Sequence, residues 1–256
     1  MISSTLLLGA FFSLAGAVIF FLVGERLRRR RIATGDARLA WSLFVLWWYG
    51  ASLSTLSGGV QCLLGAFGAM NLPLFLTLTQ LNILSICVSL FGLLYYLIFL
   101  LVGSSRPLLP LIAFYLGYYA LLGYYLNLLN PVGVSPGRWN VTIQYQHAPV
   151  GPLFAIVFAL LVIPQMLGSL VYFFIFFRVR NVTQKYRILL VSCSIFLWFG
   201  SALLGSAAGL SAFDWWQVLT RVIGLAAALV ILLAYQPFHW IRQRFGVTSF
   251  SDEAAE

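Results

Sequence analysis

The stretch DWWQVLTRVIGLAAALVILLAYQPF (residues 214–238) decides the fold. Its apolar part matches the about 20 residues that a helix needs to cross a hydrocarbon core about 30 Å thick. Inside it stand Gln217 and Arg221, two polar groups that cost free energy in lipid unless they find partners or water.

Six more runs of this kind precede it. The seven predicted spans are residues 5–24, 39–62, 74–102, 108–129, 152–177, 188–209 and 215–235, and they nearly exhaust the 256 residues. Hydrophobic residues make up 62% of the chain and charged ones 8%, with a mean hydropathy of +0.97. That composition excludes a soluble globular domain. The expected fold is an all-α membrane protein, a single seven-transmembrane-helix bundle over residues 1–246, with a flexible tail at 247–256. The opening MISS lacks a positive segment ahead of its apolar run, so the first run is read as a retained helix, not a cleaved signal.

The net charge of +9 is distributed by topology. With the N-terminus outside, thirteen of the fifteen basic residues fall on the inner side, among them Arg26, Arg28 to Arg31, Arg38, Lys185 and Arg187; Arg138 and Arg221 fall on the outer side. This positive-inside pattern predicts N-out and C-in, in the plasma membrane, with the bilayer as the partner and no nucleic acid.

Three segments break the apolar pattern: the basic loop ERLRRRRIATGDAR after the first helix, the outer loop between helices four and five, and the end of helix seven. In the outer loop, WNVTIQY alternates as a short strand or hairpin arm over the bundle, and Trp139, Tyr145 and His147 are its candidate lid residues. Asn140-Val141-Thr142 there is also sequon-like. After Pro237, Phe238, Ile241 and Phe245 share one face, predicting a surface helix over 238–246. Pro164, inside helix five, is the candidate hinge.

Polar residues within the spans point to a site. Thr79, Asn82, Ser85 and Ser89 form a stripe on helix three, Gln61 lies near the outer end of helix two, and Gln217 and Arg221 are i, i+4 neighbours. Arg221 lies roughly 9 Å below Trp215 along the axis, in the outer third. One reading is a charge tethered to Asp214, about 10.5 Å along the axis. The other is an outward-facing cavity in which Arg221 holds an anionic or carbonyl group, with Gln217, Asn82, Gln61 and Asp214 as co-liners. Stripes of small residues (Gly9, Ser13, Ala17; Gly50, Ser54, Gly58, Cys62) predict close helix packing, with a homodimer face as their less favoured use.

No catalytic, cofactor or metal site is expected. The only lysine, Lys185, is in an inner loop, so the retinal Schiff base of the pigment-type bundles has no counterpart. His147 and His239 fall on opposite sides, the three cysteines match no zinc or redox spacing, and no nucleophile–base set is visible.

The N-out plan, the basic loop RVRNVTQKYR leading into RILLVSCSIFLWFG, and the ending AYQPFHWIRQRFG resemble the prokaryotic seven-helix sensor modules found at the N-terminus of some membrane histidine kinases. The resemblance implies a receptor-like membrane sensor, not an enzyme, that signals through a separate partner at the basic inner loops. Ile163-Pro164-Gln165-Met166 is similar to the helix-five motif of PQ-loop carriers, but helix one has no counterpart. A non-catalytic structural subunit of a larger membrane complex is the other alternative.

Overall fold

The computed structural model describes residues 3–103, 106–147, 163, 167–208 and 215–248; at 202–208 and 215–217 it describes the backbone only. The elements are helices α1 (Ser4–Ala33), α2 (Leu39–Ala66), α3 (Leu72–Val102) and α4 (Leu108–Leu128), strands β1 (Pro131–Pro136) and β2 (Val141–Tyr145), then α5 (Leu167–Arg178), α6 (Val182–Ala208), α7 (Trp215–Tyr235) and α8 (His239–Phe245). Among the described residues, five helices are long and apolar enough to cross a membrane: α1, α2, α3, α4 and α7.

Local chemistry sets the helix ends. Asn71 caps α3 by accepting from the Leu74 amide at 2.9 Å, Pro73 occupies the first turn, and Gly103 closes the far end in the left-handed region (φ 67°). The Asn181 side chain accepts from the Gln184 amide at 3.1 Å, so α6 starts at 182, six residues before the apolar run. Pro237 follows α7, and Gly246 (φ 62°) ends α8.

The first helix corrects the sequence reading. The cluster RLRRRR, expected to lie in a loop, continues α1 to Ala33. Arginine is a good helix former, and Glu25 holds Arg28 at 2.7 Å and Arg29 at 2.8 Å, at i+3 and i+4. Arg30 and Arg31 in the last turn also offset the negative end of the helix dipole.

Hydrogen bonds tie the ends together. The Ser3 amide donates to the Ala66 carbonyl at 3.3 Å, and the Thr5 hydroxyl donates to the Arg138 carbonyl, so the start of α1, the end of α2 and the hairpin share one end of the bundle. Arg30, Arg38, Arg187 and Tyr235 meet at the other, the arginine-rich end.

Between the ends lies the core, where Trp47 and Trp48 are fully buried and Phe44 stacks on Tyr96 with centroids 4.3 Å apart. Serines fasten neighbouring helices: Ser52 donates to the Ala17 carbonyl, Ser89 to that of Trp47, and Ser194 to that of Ala227, each at 2.8 Å. Where lipid is as apolar as leucine, close packing and such bonds associate helices. The small-residue stripe of α1 accordingly faces into the molecule, with Gly9, Ala10, Ser13 and Ala17 all buried.

The segment after α4 forms the expected hairpin. Strands β1 and β2 pair antiparallel, from Pro131 opposite Tyr145 to Pro136 opposite Val141, with an irregularity between Pro131 and Gly133. Val141 is buried against Gly65 of α2, where any larger side chain would occupy the valine's place. At the other end of the chain, Val247 and Thr248 do not belong to a loose tail: Val247 is buried, and Thr248 bonds Thr183 and Arg187.

Candidate functional site

Arg221 is half-buried on α7 and reaches across to α1. The absence of a side chain at Gly9 makes room for it: a Cβ there would stand 2.9 Å from Nη1 of the guanidinium. One turn further along α1, the Ser13 hydroxyl accepts from Nη1 at 3.4 Å. From the opposite side, Oδ1 of Asn140 accepts from Nη2 at 3.1 Å. The same oxygen accepts from the Val141 amide at 3.0 Å and from the Cys62 thiol at 3.8 Å. One amide oxygen thus joins α7, the hairpin and α2, and the charged donor gives the joint its weight, since hydrogen bonds to ionised groups contribute about 1.5–3 kcal/mol.

Beside this joint lies a cavity of about 300 Å³, lined among others by Arg221, Asn140, Gln61, Asn82, Ser13 and Trp198. Its volume is at the lower edge of the range for small-molecule sites, about 300–1,000 Å³. The helix-three stripe supplies the far wall by pairing with α2: Ser54 donates to Oδ1 of Asn82 at 2.6 Å, and Nε2 of Gln61 donates to the Thr79 hydroxyl at 3.1 Å. Ser85 and Ser89, lower on the stripe, bond backbone carbonyls instead.

Three residues singled out from the sequence, Arg221, Asn82 and Gln61, therefore line one cavity. Gln217 lies one turn before Arg221 on α7 and is described as backbone only; Asp214 and Pro164 lie outside the described residues. The three lid candidates do not line the cavity: Trp139 sits under the Arg138 guanidinium, 5.9 Å from its ring centre, Tyr145 is half-buried in β2, and His147 is exposed.

The hairpin residue that does reach the cavity is Asn140, which sequence reasoning noted only as part of a sequon. A donor count would have found it. A guanidinium carries five N–H groups, so one held in the bundle demands oxygens, and Asn140 is a short acceptor in the loop at the same end. Arg221 is the one ionisable side chain in the described lining, apart from hydroxyls and amides. The arrangement suits holding a carboxylate or carbonyl oxygen; general acid–base chemistry would need a second titratable group in reach. Among the described residues, no three His, Cys, Asp or Glu side chains gather to hold a metal ion.

Compared with models of known protein families and with curated proteins, the chain matches none. What its helices and composition define is the class: a multi-pass helical membrane protein.

Proposed function

We propose that the chain is a receptor-like sensor of the plasma membrane, a seven-helix bundle with its N-terminus outside and its C-terminus inside, whose outer cavity takes a small ligand bearing a carboxylate or carbonyl. The observation that carries this reading is that Arg221, Asn140, Asn82 and Gln61 border one cavity while Asn140 belongs to the hairpin above it. A ligand oxygen at Arg221 would compete with Oδ1 of Asn140 for Nη2, so ligand binding and hairpin attachment become linked equilibria. A ligand shifts such an equilibrium only through its different affinity for the two states, and the shared donor is the source of that difference here. The gathering of basic residues at the opposite end supports the orientation and offers a face for a separate signalling partner.

A thermal-shift screen of small carboxylates, benzoate first, on the purified protein and on Arg221→Gln tests the proposal. Stabilisation of the native chain that Arg221→Gln loses supports it; equal shifts in both remove Arg221 from the site.

One observation favours the structural-subunit reading. The guanidinium already has Ser13 and Asn140 as acceptors, which suffices to anchor the hairpin without any ligand. That reading expects the screen to find no carboxylate that stabilises the native chain.

A further inference from the structure

Across the cavity from the arginine joint, the wall formed by α2 and α3 holds two unclaimed hydrogen-bonding atoms. Ser54 donates to Oδ1 of Asn82 at 2.6 Å, which fixes that amide and leaves its Nδ2 donor without a partner among the described residues. Nε2 of Gln61 donates to the Thr79 hydroxyl at 3.1 Å, which leaves Oε1 of Gln61 as an acceptor. Both residues line the cavity. Thr79 and Asn82 are i, i+3 neighbours on α3, with Cβ atoms about 5–6 Å apart, so the Gln61 amide lies about one turn from that of Asn82. The wall thus offers one donor and one acceptor.

The space in front of it is bounded by apolar groups. Phe12 of α1, and Trp198 and Phe199 of α6, line the cavity, the last two rings standing edge to face with centroids 5.0 Å apart. Gly58 of α2 adds room, because a Cβ there would meet no heavy atom within 4 Å. A volume of about 300 Å³ between rings suits a ligand built on a single aromatic ring. A hydroxyl is the smallest group that accepts one hydrogen bond and donates another from one atom. With bonds of about 2.8 Å on each side, it spans a gap of the size between Gln61 and Asn82. A methyl group at this wall would leave both amide atoms desolvated.

We propose that the ligand of the Arg221 cavity is a hydroxylated aromatic acid of one ring, with its carboxylate on Arg221 and a meta or para hydroxyl between Asn82 and Gln61. The hydroxyl accepts from Nδ2 of Asn82 and donates to Oε1 of Gln61, while Trp198 and Phe199 flank the ring. Asn82 and Gln61 then determine specificity, and Arg221 is the anchor for any carboxylate. Such a ligand presupposes the carboxylate-binding role of Arg221 proposed above.

The test is titration of the full chain in mild detergent with benzoate, 3- and 4-hydroxybenzoate, and the two methylbenzoates of the same shape. The favoured hydroxybenzoate should bind about tenfold more tightly than benzoate, equivalent to about 1.4 kcal/mol for two added neutral hydrogen bonds. Its methyl counterpart should not share the gain. In Asn82→Leu and in Gln61→Leu the ratio of hydroxybenzoate to benzoate affinity should fall towards one; the ratio is read within each variant, so a change in overall affinity cancels. Arg221→Gln should weaken every probe alike. Equal binding of benzoate and both hydroxybenzoates, a methylbenzoate that gains as much, or a preference that both leucine variants keep overturns the hydroxyl contact and leaves the carboxylate site standing. Failure of every probe to bind the native chain overturns the carboxylate site, and the ligand class with it. Where a variant fails to fold, the native-chain series decides.

Discussion

The two ends of the bundle handle positive charge in opposite ways. At the hairpin end one arginine is drawn into the bundle and held by neutral oxygens, those of Ser13 and Asn140. At the other end arginines gather at a cavity rim and on the neighbouring turns of α1, and the partners of several are carboxylates: Glu25 for Arg28 and Arg29, Asp36 for Arg38. A partly buried charge held by neutral groups depends on each acceptor, because loss of one leaves a desolvated donor. Exposed ion pairs are individually replaceable, being screened by water and salt. Single substitutions should therefore be felt at the hairpin end and absorbed at the arginine-rich end.

Asn140→Ala should give the largest effect, because one oxygen serves Arg221, Val141 and Cys62. We expect a loss of about 3 kcal/mol, with charged donors at the upper end of the range for unsatisfied groups. Denaturant unfolding in mild detergent measures it. Asn140→Asp keeps an oxygen in the same place and should retain most of the stability; equal losses in the two variants would show that the acceptor is not what matters.

Gly9→Ala should come next. The added methyl would stand 2.9 Å from Nη1 of Arg221, the mobile tip of a long side chain, so the cost is the displacement of that tip, about 1 kcal/mol. Unfolding midpoints of Gly9→Ala and of the double variant with Arg221→Gln separate this from general helix effects. The alanine should cost less once the guanidinium is gone.

The smallest effect belongs to the loop carboxylate. The Arg38 guanidinium holds Asp36 below its ordinary 3.8, at about 2. Because the folded value is the lower one, the carboxylate's contribution is complete above pH about 4 and fades between about 4 and about 2. Asp36→Asn should melt slightly below the native chain at neutral pH, with the gap closing through that acid window. A gap that is independent of pH would exclude the carboxylate as its cause.

Much of the helical organisation is readable from the amino acids because membrane spans repeat one simple demand, about 20 apolar residues at a time. Punctuation by Pro237 then marks an end that the structure shares. Where composition and helix formation part company, sequence reasoning errs. RLRRRR is polar, hence loop-like by hydropathy, yet its arginines and the Glu25 spacing favour a continued helix. Arg221, Asn82 and Gln61 could be grouped because each is polar at a similar depth. Asn140 could not be grouped that way, since it lies outside any span and its importance comes from the hairpin turning back onto α2. The arginine-rich cavity was hidden for a related reason: Arg30, Arg31, Arg38 and Arg187 read individually as topological charge, and only the fold brings them around one opening.

The most direct measurement is hydrogen exchange of the β1–β2 amides, residues 131–145, with and without benzoate, in the native chain and in Arg221→Gln. If a carboxylate takes the guanidinium from Asn140, exchange in the hairpin should rise with benzoate in the native chain, and should be unresponsive to it in Arg221→Gln. Exchange that ignores benzoate in the native chain, or responds equally in both, would contradict a hairpin-coupled site at Arg221.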